Sequence, residues 1–173
     1  MTRDDVLKMV GEAVLCSQAL DALLDLILTW VLQDGKPMTK DHFSKIQSLH
    51  HRKPLGFFFA EMKKRADYSP VLKDTFDRFL ENRNRLVHRF HDVDGHQLSS
   101  DDDIAKVSQF LSVLLQDTWN LIKFFSALIV AWQEQTGVDK GSLDRMMPPE
   151  LQSVLQEIKV MSGFVDEFVF PKG

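Results

Sequence analysis

Residues 101–134 read DDDIAKVSQFLSVLLQDTWNLIKFFSALIVAWQE, and they carry the strongest indication of the fold class. Its apolar side chains recur every three or four residues, which is the period of a helix that buries one face. Ser100 and Asp103 resemble a capping box, and the run of aspartates suits the positive end of a helix. The pattern predicts one long helix with the stripe Ile104, Val107, Leu111, Leu114, Leu115, Trp119, Ile122, Phe125, Ile129 and Trp132.

Helical patterns also occupy most of the remaining chain. The apolar period predicts a long helix over 4–33 and a short one after Thr39, followed by a second short piece over 55–66. A serine-proline pair begins a helix over 69–91, and two prolines begin a last helix that runs over 149–161. The expected fold is therefore all-α, an up-down antiparallel bundle of four main helices with a C-terminal helical appendage.

Length and composition indicate one globular domain. The chain has 173 residues, of which 44% are hydrophobic and 27% are charged. One tyrosine and few threonines argue against a large sheet. We expect a single domain over 1–173, with its core in 4–134 and an extension over 135–173.

Several features favour a cytoplasmic protein without a membrane segment. The single cysteine, Cys16, has apolar neighbours and cannot form an internal disulfide, which fits a buried, inert thiol in a reducing compartment. The N-terminus carries charges where a signal peptide needs an apolar run. Polar residues interrupt the apolar stretches 19–32 and 110–132, so neither provides an unbroken span of bilayer length.

Charge is distributed unevenly along the chain. The net charge is −4, which argues against indiscriminate binding to nucleic acid. Residues 45–91 nevertheless hold eleven Lys or Arg against five Asp or Glu, a local charge of +6, which leaves −10 on the remainder. This asymmetry is compatible with a basic surface that binds phosphate. The alternative is that these charged side chains only keep the exposed faces of two helices in water.

One arginine interrupts an apolar stripe within residues 81–91, ENRNRLVHRFH. The apolar stripe of the helix predicted over 69–91 consists of Leu72, Phe76, Phe79, Leu86 and Phe90. Its period requires a further core residue at position 83, and that position holds Arg83. A buried charge is costly unless it is paired or reaches water. Arg83 therefore has either an ion-pair partner or a function.

Arg83, Asn84 and His88 together suit chemistry at a phosphate. At about 100° per residue, Asn84 and His88 lie roughly 40° apart on one flank, and the long side chain of Arg83 can converge on them. Histidine transfers protons near neutrality, and arginine holds phosphate bidentately. Such a set suits RNA cleavage in which the 2′-hydroxyl attacks, with no metal required. The structural alternative is an ion pair between Arg83 and a first-helix carboxylate, with His88 at a helix end.

The motif over residues 83–88, RNRLVH, resembles the R-X4-6-H signature of the HEPN superfamily (higher eukaryotes and prokaryotes nucleotide-binding). In that family a polar residue, often asparagine, follows the arginine. The motif falls late in the third long helix of an all-α chain, and the Pro-Leu-Gly sequence over 54–56 is also similar. The architectural resemblance covers residues 4–134.

The resemblance implies a metal-independent endoribonuclease without a cofactor, of the kind found as toxins in toxin–antitoxin and phage-defence systems. It gives Arg83 the phosphate contact, His88 the general acid–base role and Asn84 a supporting role. Arg85 and Arg89 match no fixed family position and are candidate RNA contacts. Members commonly form homodimers in which two motifs face one cleft, and an antitoxin protein is a possible partner. Other members have lost catalysis and bind nucleotide, RNA or protein.

Two further interpretations remain open at this point. His88, His91 and His96, with Asp92 and Asp94 nearby, contain metal-ligand side chains, but their spacing departs from helical zinc sites, so we expect no metal. The chain is alternatively a purely structural interaction domain. No Gly-rich phosphate loop and no paired carboxylate motif of di-iron bundles occurs in the sequence.

Overall fold

The described part of the computed structural model is almost entirely helical. It comprises residues 1–32, 39–51, 53–137, 158, 160–163 and 169–171. The elements are α1 (Arg3–Leu26), which continues into a π-helical turn (Ile27–Val31), then α2 (Lys40–His50), α3 (Leu55–Arg65), β1 (Ala66–Tyr68), α4 (Pro70–His88), a 3-10 turn (Phe90–Asp92), α5 (Asp101–Thr136) and β2 (Val169–Pro171). The all-α prediction is confirmed.

Side-chain caps explain where the long helices begin. Ser100 and Asp103 form the predicted capping box at the start of α5, and Ser69 accepts a hydrogen bond from the backbone N–H of Leu72 at the start of α4. A capping box that the sequence analysis did not identify begins α1, where Thr2 and Asp5 satisfy each other's backbone N–H groups. Each box satisfies donors that would otherwise lack partners in the first turn.

The core lies where α1 and α4 pack against α5. Phe76 of α4 stacks on Phe125 of α5 with ring centroids 5.6 Å apart, and it also contacts Phe59 of α3 at 4.8 Å. All three rings are fully buried, as is Phe79. A buried aromatic side chain typically removes about 150–250 Å² of its surface from water. The burial of these rings therefore fixes α4 relative to its neighbours.

The first helix changes its winding near its C-terminal end. The sequence predicted a regular helix over 4–33, but the α-helical part ends at Leu26 and a π-helical turn follows. The guanidinium Nη1 of Arg65 donates hydrogen bonds to the carbonyls of Leu28 and Leu32, at 2.7 and 2.6 Å. Arg65 thereby satisfies carbonyls that lack partners at a helix end and joins α3 to α1.

A small sheet joins the C-terminal tail to the middle of the chain. β1 and β2 pair antiparallel, with Ala66 opposite Pro171 and Tyr68 opposite Val169. Neither strand was predicted, since each has three residues and no useful period. The predicted last helix over 149–161 lies outside the described residues, apart from 158, 160 and 161, which are helical.

The predicted helix over 69–91 ends earlier than expected. Its last residue is His88, because Arg89 leaves the helical conformation with φ −137° and a 3-10 turn follows. The backbone N–H of Arg89 still donates to the carbonyl of Arg85 at 3.0 Å. His88 is therefore the C-terminal residue of α4.

Two helical segments have the length and apolar character of membrane spans. They are Arg3–Val31 and Asp101–Thr136, each of which contains an 18-residue window that is apolar enough to cross a membrane. Core helices of soluble proteins satisfy the same criteria, and more than half of the apolar window in α5 is buried.

Candidate functional site

Arg83 lies on the core-facing side of α4, as the interrupted stripe predicted. It follows Phe79 by four residues and precedes Leu86 by three, and both of these are buried while Arg83 is half-buried. Its Nη1 donates to Oδ1 of Asn84 at 3.4 Å. Its Nε is buried without a hydrogen-bond partner among the described residues. Arg83 and Asn84 are thus in contact, and part of the guanidinium retains unused donor capacity.

A carboxylate of the first helix faces Arg83. Asp21 of α1 is half-buried, and its Oδ1 has no hydrogen-bond partner in the part of the chain that the structure describes. Burial raises the pKa of Asp21, and the positive charge of Arg83 acts in the opposite direction. No hydrogen bond or ion pair joins these two described residues. The structure therefore places a first-helix carboxylate near Arg83, as the structural alternative expected, but the two side chains do not form a direct ion pair.

Asp21 gives the first prediction, a pH-dependent change in stability. A carboxyl whose pKa is raised by folding destabilises the protein where it is ionised, and the penalty disappears below its ordinary value of 3.8. Asp21→Asn should therefore raise the Tm at pH 7 by a few degrees, since 1 kcal/mol shifts Tm by about 2–4 °C in a domain of this size. The difference should vanish near pH 3. Thermal unfolding of both proteins at the two pH values tests this, and a lower Tm for the variant at pH 7 would show that Asp21 is a net stabilising partner of Arg83.

His88 lies at the exposed end of α4. None of the described residues forms a hydrogen bond or ion pair with its imidazole. Asn84 is one turn earlier, so the two side chains occupy neighbouring positions on one helix flank. A protonated histidine at this end also interacts favourably with the helix dipole. The side chain is accessible for proton transfer to a bound molecule.

Arg85 and Arg89 lie on the opposite side of His88 from Asn84, by helix geometry. Nη2 of Arg85 donates to the backbone oxygen of Asp92 at 2.7 Å, and the guanidinium carbon lies 5.4 Å from the ring centroid of Phe110. Nη2 of Arg89 donates to Oε1 of Glu81 at 2.9 Å, in an exposed pair. Arg85, within the motif, and Arg89, just after it, thus already have intramolecular partners.

A pocket of about 310 Å³ opens beside this flank of α4. Arg85 forms part of its wall, and His88 is three residues further along the same helix. The remaining lining residues come from α4, from the connection to α5 and from α5 itself, and only Asp94 among them was considered from the sequence, as a possible metal ligand: Asn82, Val93, Asp94, Lys106, Gln109, Phe110 and Val113.

The histidines near the motif do not form a metal-ligand cluster. His91 pairs with Asp92 at 3.1 Å, and Nδ1 of His96 lies 3.3 Å from the backbone oxygen of Val93. Within the described ranges, no group of three or more His, Cys, Asp or Glu side chains is placed to hold a metal ion. The metal interpretation of His88, His91 and His96 therefore has no geometric support there.

A second polar cluster lies away from the motif. Nδ1 of His50 in α2 forms a hydrogen bond with Oδ1 of Asp25 in α1, and the buried imidazole lies nearly perpendicular to the rings of Phe57 and Phe58. Its Nε2 has no partner among the described residues. Cys16 is partly exposed rather than fully buried, and burial raises the pKa of its thiol, which disfavours the reactive thiolate.

No family model, curated protein or solved structure matches this chain.

Proposed function

We propose that this protein is a metal-independent endoribonuclease of the HEPN type. The observation that supports the proposal best is the placement of three side chains in the last two turns of α4. Arg83 contacts Asn84, and His88 is exposed one turn further along. The local excess of positive charge over residues 45–91 supports an RNA substrate. A toxin of a toxin–antitoxin or defence system is the biological role that we infer from the resemblance.

The proposed reaction is transesterification at a phosphodiester. His88 removes the proton from the 2′-hydroxyl, whose oxygen then bonds to phosphorus while the bond from phosphorus to the 5′-oxygen breaks. Arg83 stabilises the negative charge that develops on the phosphoryl oxygens. Asn84 holds the Arg83 guanidinium through the contact described above. A general acid donates a proton to the leaving 5′-oxygen, which becomes a hydroxyl. We assign this acid to His88 of a second copy of the chain.

Cleavage of RNA by the wild-type protein tests this proposal. The protein should cut single-stranded RNA in the presence of EDTA and leave 2′,3′-cyclic phosphate and 5′-hydroxyl ends. DNA of the same sequence should survive, because it lacks the attacking hydroxyl. Absence of cleavage across a broad panel of RNAs, with retained RNA binding, would instead support a catalytically inactive HEPN-like module.

A homodimer is the assembly that we propose, because one chain supplies only one Arg83–His88 set and the reaction needs both a base and an acid. A two-fold axis would place the two sets in one groove. We expect sedimentation equilibrium at micromolar concentration to give twice the mass of the chain, which is 19.9 kDa. A monomer at that concentration would contradict the shared groove.

The remaining parts of the proposal concern context. We propose a cytoplasmic location and an antitoxin protein that restrains the activity. The up-down antiparallel arrangement of four main helices also stays a proposal. It is supported by the packing of α1 and α4 against α5.

A further inference from the structure

The pocket beside Arg85 combines groups that recognise a heteroaromatic ring. Val93, Phe110 and Val113 provide apolar wall, and the amide side chains of Asn82 and Gln109 add both donors and acceptors. Its volume of about 310 Å³ is at the small end of the range for ligand sites, about 300–1,000 Å³. A pocket with these walls fits a single base better than a long apolar ligand.

Asp94 is the most selective group in this pocket. As a carboxylate it only accepts hydrogen bonds, and its two oxygens favour a ligand with two adjacent N–H donors. Among the four RNA bases, guanine alone presents such a pair, N1–H and the N2 amino group. Adenine, cytosine and uracil each place an acceptor next to their donor on the same edge, which a carboxylate repels. Arg85 and Lys106 provide donors for the guanine O6 or for a phosphate.

The backbone around Asp94 is fixed against α5. Gly95 has φ +79°, and a Cβ at that position would lie 2.5 Å from the backbone oxygen of Asp103. The turn is closed by the N–H of His96, which donates to the carbonyl of Val93 at 3.0 Å. Only glycine permits this close approach, so Asp94 enters the pocket wall from a constrained turn. A backbone held in this way loses little freedom when a ligand binds to the exposed Asp94 side chain.

Arg85 is also held in place at the rim. It donates to the backbone oxygen of Asp92 and lies over the ring of Phe110. These contacts leave further N–H groups of the guanidinium free to bind, since arginine has five donors. His88 does not line the pocket, but it neighbours Arg85 on the surface of α4, because residues three apart on a helix are neighbours.

We propose that this pocket binds a guanine base through Asp94 and that it selects guanine next to the bond that His88 cleaves. The position of the guanine relative to the cleaved bond rests on the proposed ribonuclease function, but the binding of guanine does not. Arg85 contributes to this pocket rather than to the general attraction of the RNA backbone.

Nucleotide binding to the 173-residue chain tests this inference. Isothermal titration should show that guanosine 5′-monophosphate binds about tenfold more tightly than the adenosine, cytidine or uridine monophosphates. Asp94→Asn should weaken binding of the guanosine nucleotide by about tenfold and abolish the preference, because a good bidentate contact gives discrimination of about this size. Asp101→Asn removes the same charge from an exposed position outside the pocket. It should leave the affinity for the guanosine nucleotide and the preference over the other three unchanged.

The failure of this inference is distinguishable from the failure of the proposed function. Equal binding of all four nucleotides, or an unchanged preference in Asp94→Asn, would overturn the guanine pocket even if the protein cuts RNA. Selective binding that is lost in Asp94→Asn would support the pocket even if no RNA is cut. If RNA is cut, sequencing of the products should find guanine enriched next to the cut for the wild type and not for Asp94→Asn.

Discussion

His88→Ala should reduce the rate of RNA cleavage by roughly a hundred- to ten-thousand-fold, the usual contribution of a general acid or base. The side chain is exposed at the end of α4 and has no partner among the described residues, so its removal should not alter the fold. The measurement is the initial rate of cleavage of a labelled single-stranded RNA in EDTA. Circular dichroism and the Tm should match those of the wild type.

His91→Ala is the matched control for this prediction. His91 is also exposed and lies three residues further along, where it pairs with Asp92 at the surface. The His91→Ala variant should cleave RNA at the wild-type rate. Equal cleavage by wild type and His88→Ala would identify the activity as a contaminant and refute the ribonuclease proposal. Arg83→Ala should lose activity to a similar degree, but its half-buried position requires that the Tm be measured together with the rate.

The helices were predictable because their signals are local. The period of α5 and the capping box of Ser100 and Asp103 lie within single stretches of sequence, and both are present in the structure. The gap in the stripe at Arg83 similarly required only the helical period. It predicted a half-buried charge facing the core, and the structure places Asp21 of the first helix within electrostatic reach of Arg83 without a direct ion pair.

The features that the sequence did not reveal join residues far apart in the chain. Asp25 and His50 meet only because the fold brings the last residue of α2 to α1, and the guanidinium of Arg65 reaches the π-helical turn after α1 from another helix. The pocket combines Asn82 with Phe110 across the α4–α5 contact. No local period encodes such pairs, because they depend on how the helices are packed. The close approach of Gly95 to Asp103 is likewise visible only in the structure, and it sets the backbone position of Asp94 at the pocket.

Arg78→Ala should lower the free energy of unfolding by about 3 kcal/mol, a large effect for one side chain at a partly exposed position. Nε and Nη2 of Arg78 in α4 donate to the two carboxylate oxygens of Asp117 in α5, at 2.7 and 2.6 Å. The Asp117 side chain is only 3% exposed, whereas that of Arg78 is 52% exposed. Removing Arg78 leaves a buried carboxylate without its bidentate partner, and this penalty exceeds the loss of a surface pair. Urea denaturation of both proteins at pH 7 measures the difference.

Asp117→Asn in the Arg78→Ala background should restore part of the lost stability, because the amide is neutral and the buried charge is gone. Arg89→Ala supplies the comparison on the same helix. It removes an arginine from an ion pair with Glu81 in which both side chains are about half exposed, and it should cost less than about 1 kcal/mol. Similar losses for Arg78→Ala and Arg89→Ala would show that water reaches Asp117 once its partner is removed. The contact between α4 and α5 would then depend on the stacked rings of Phe76 and Phe125 rather than on the buried ion pair.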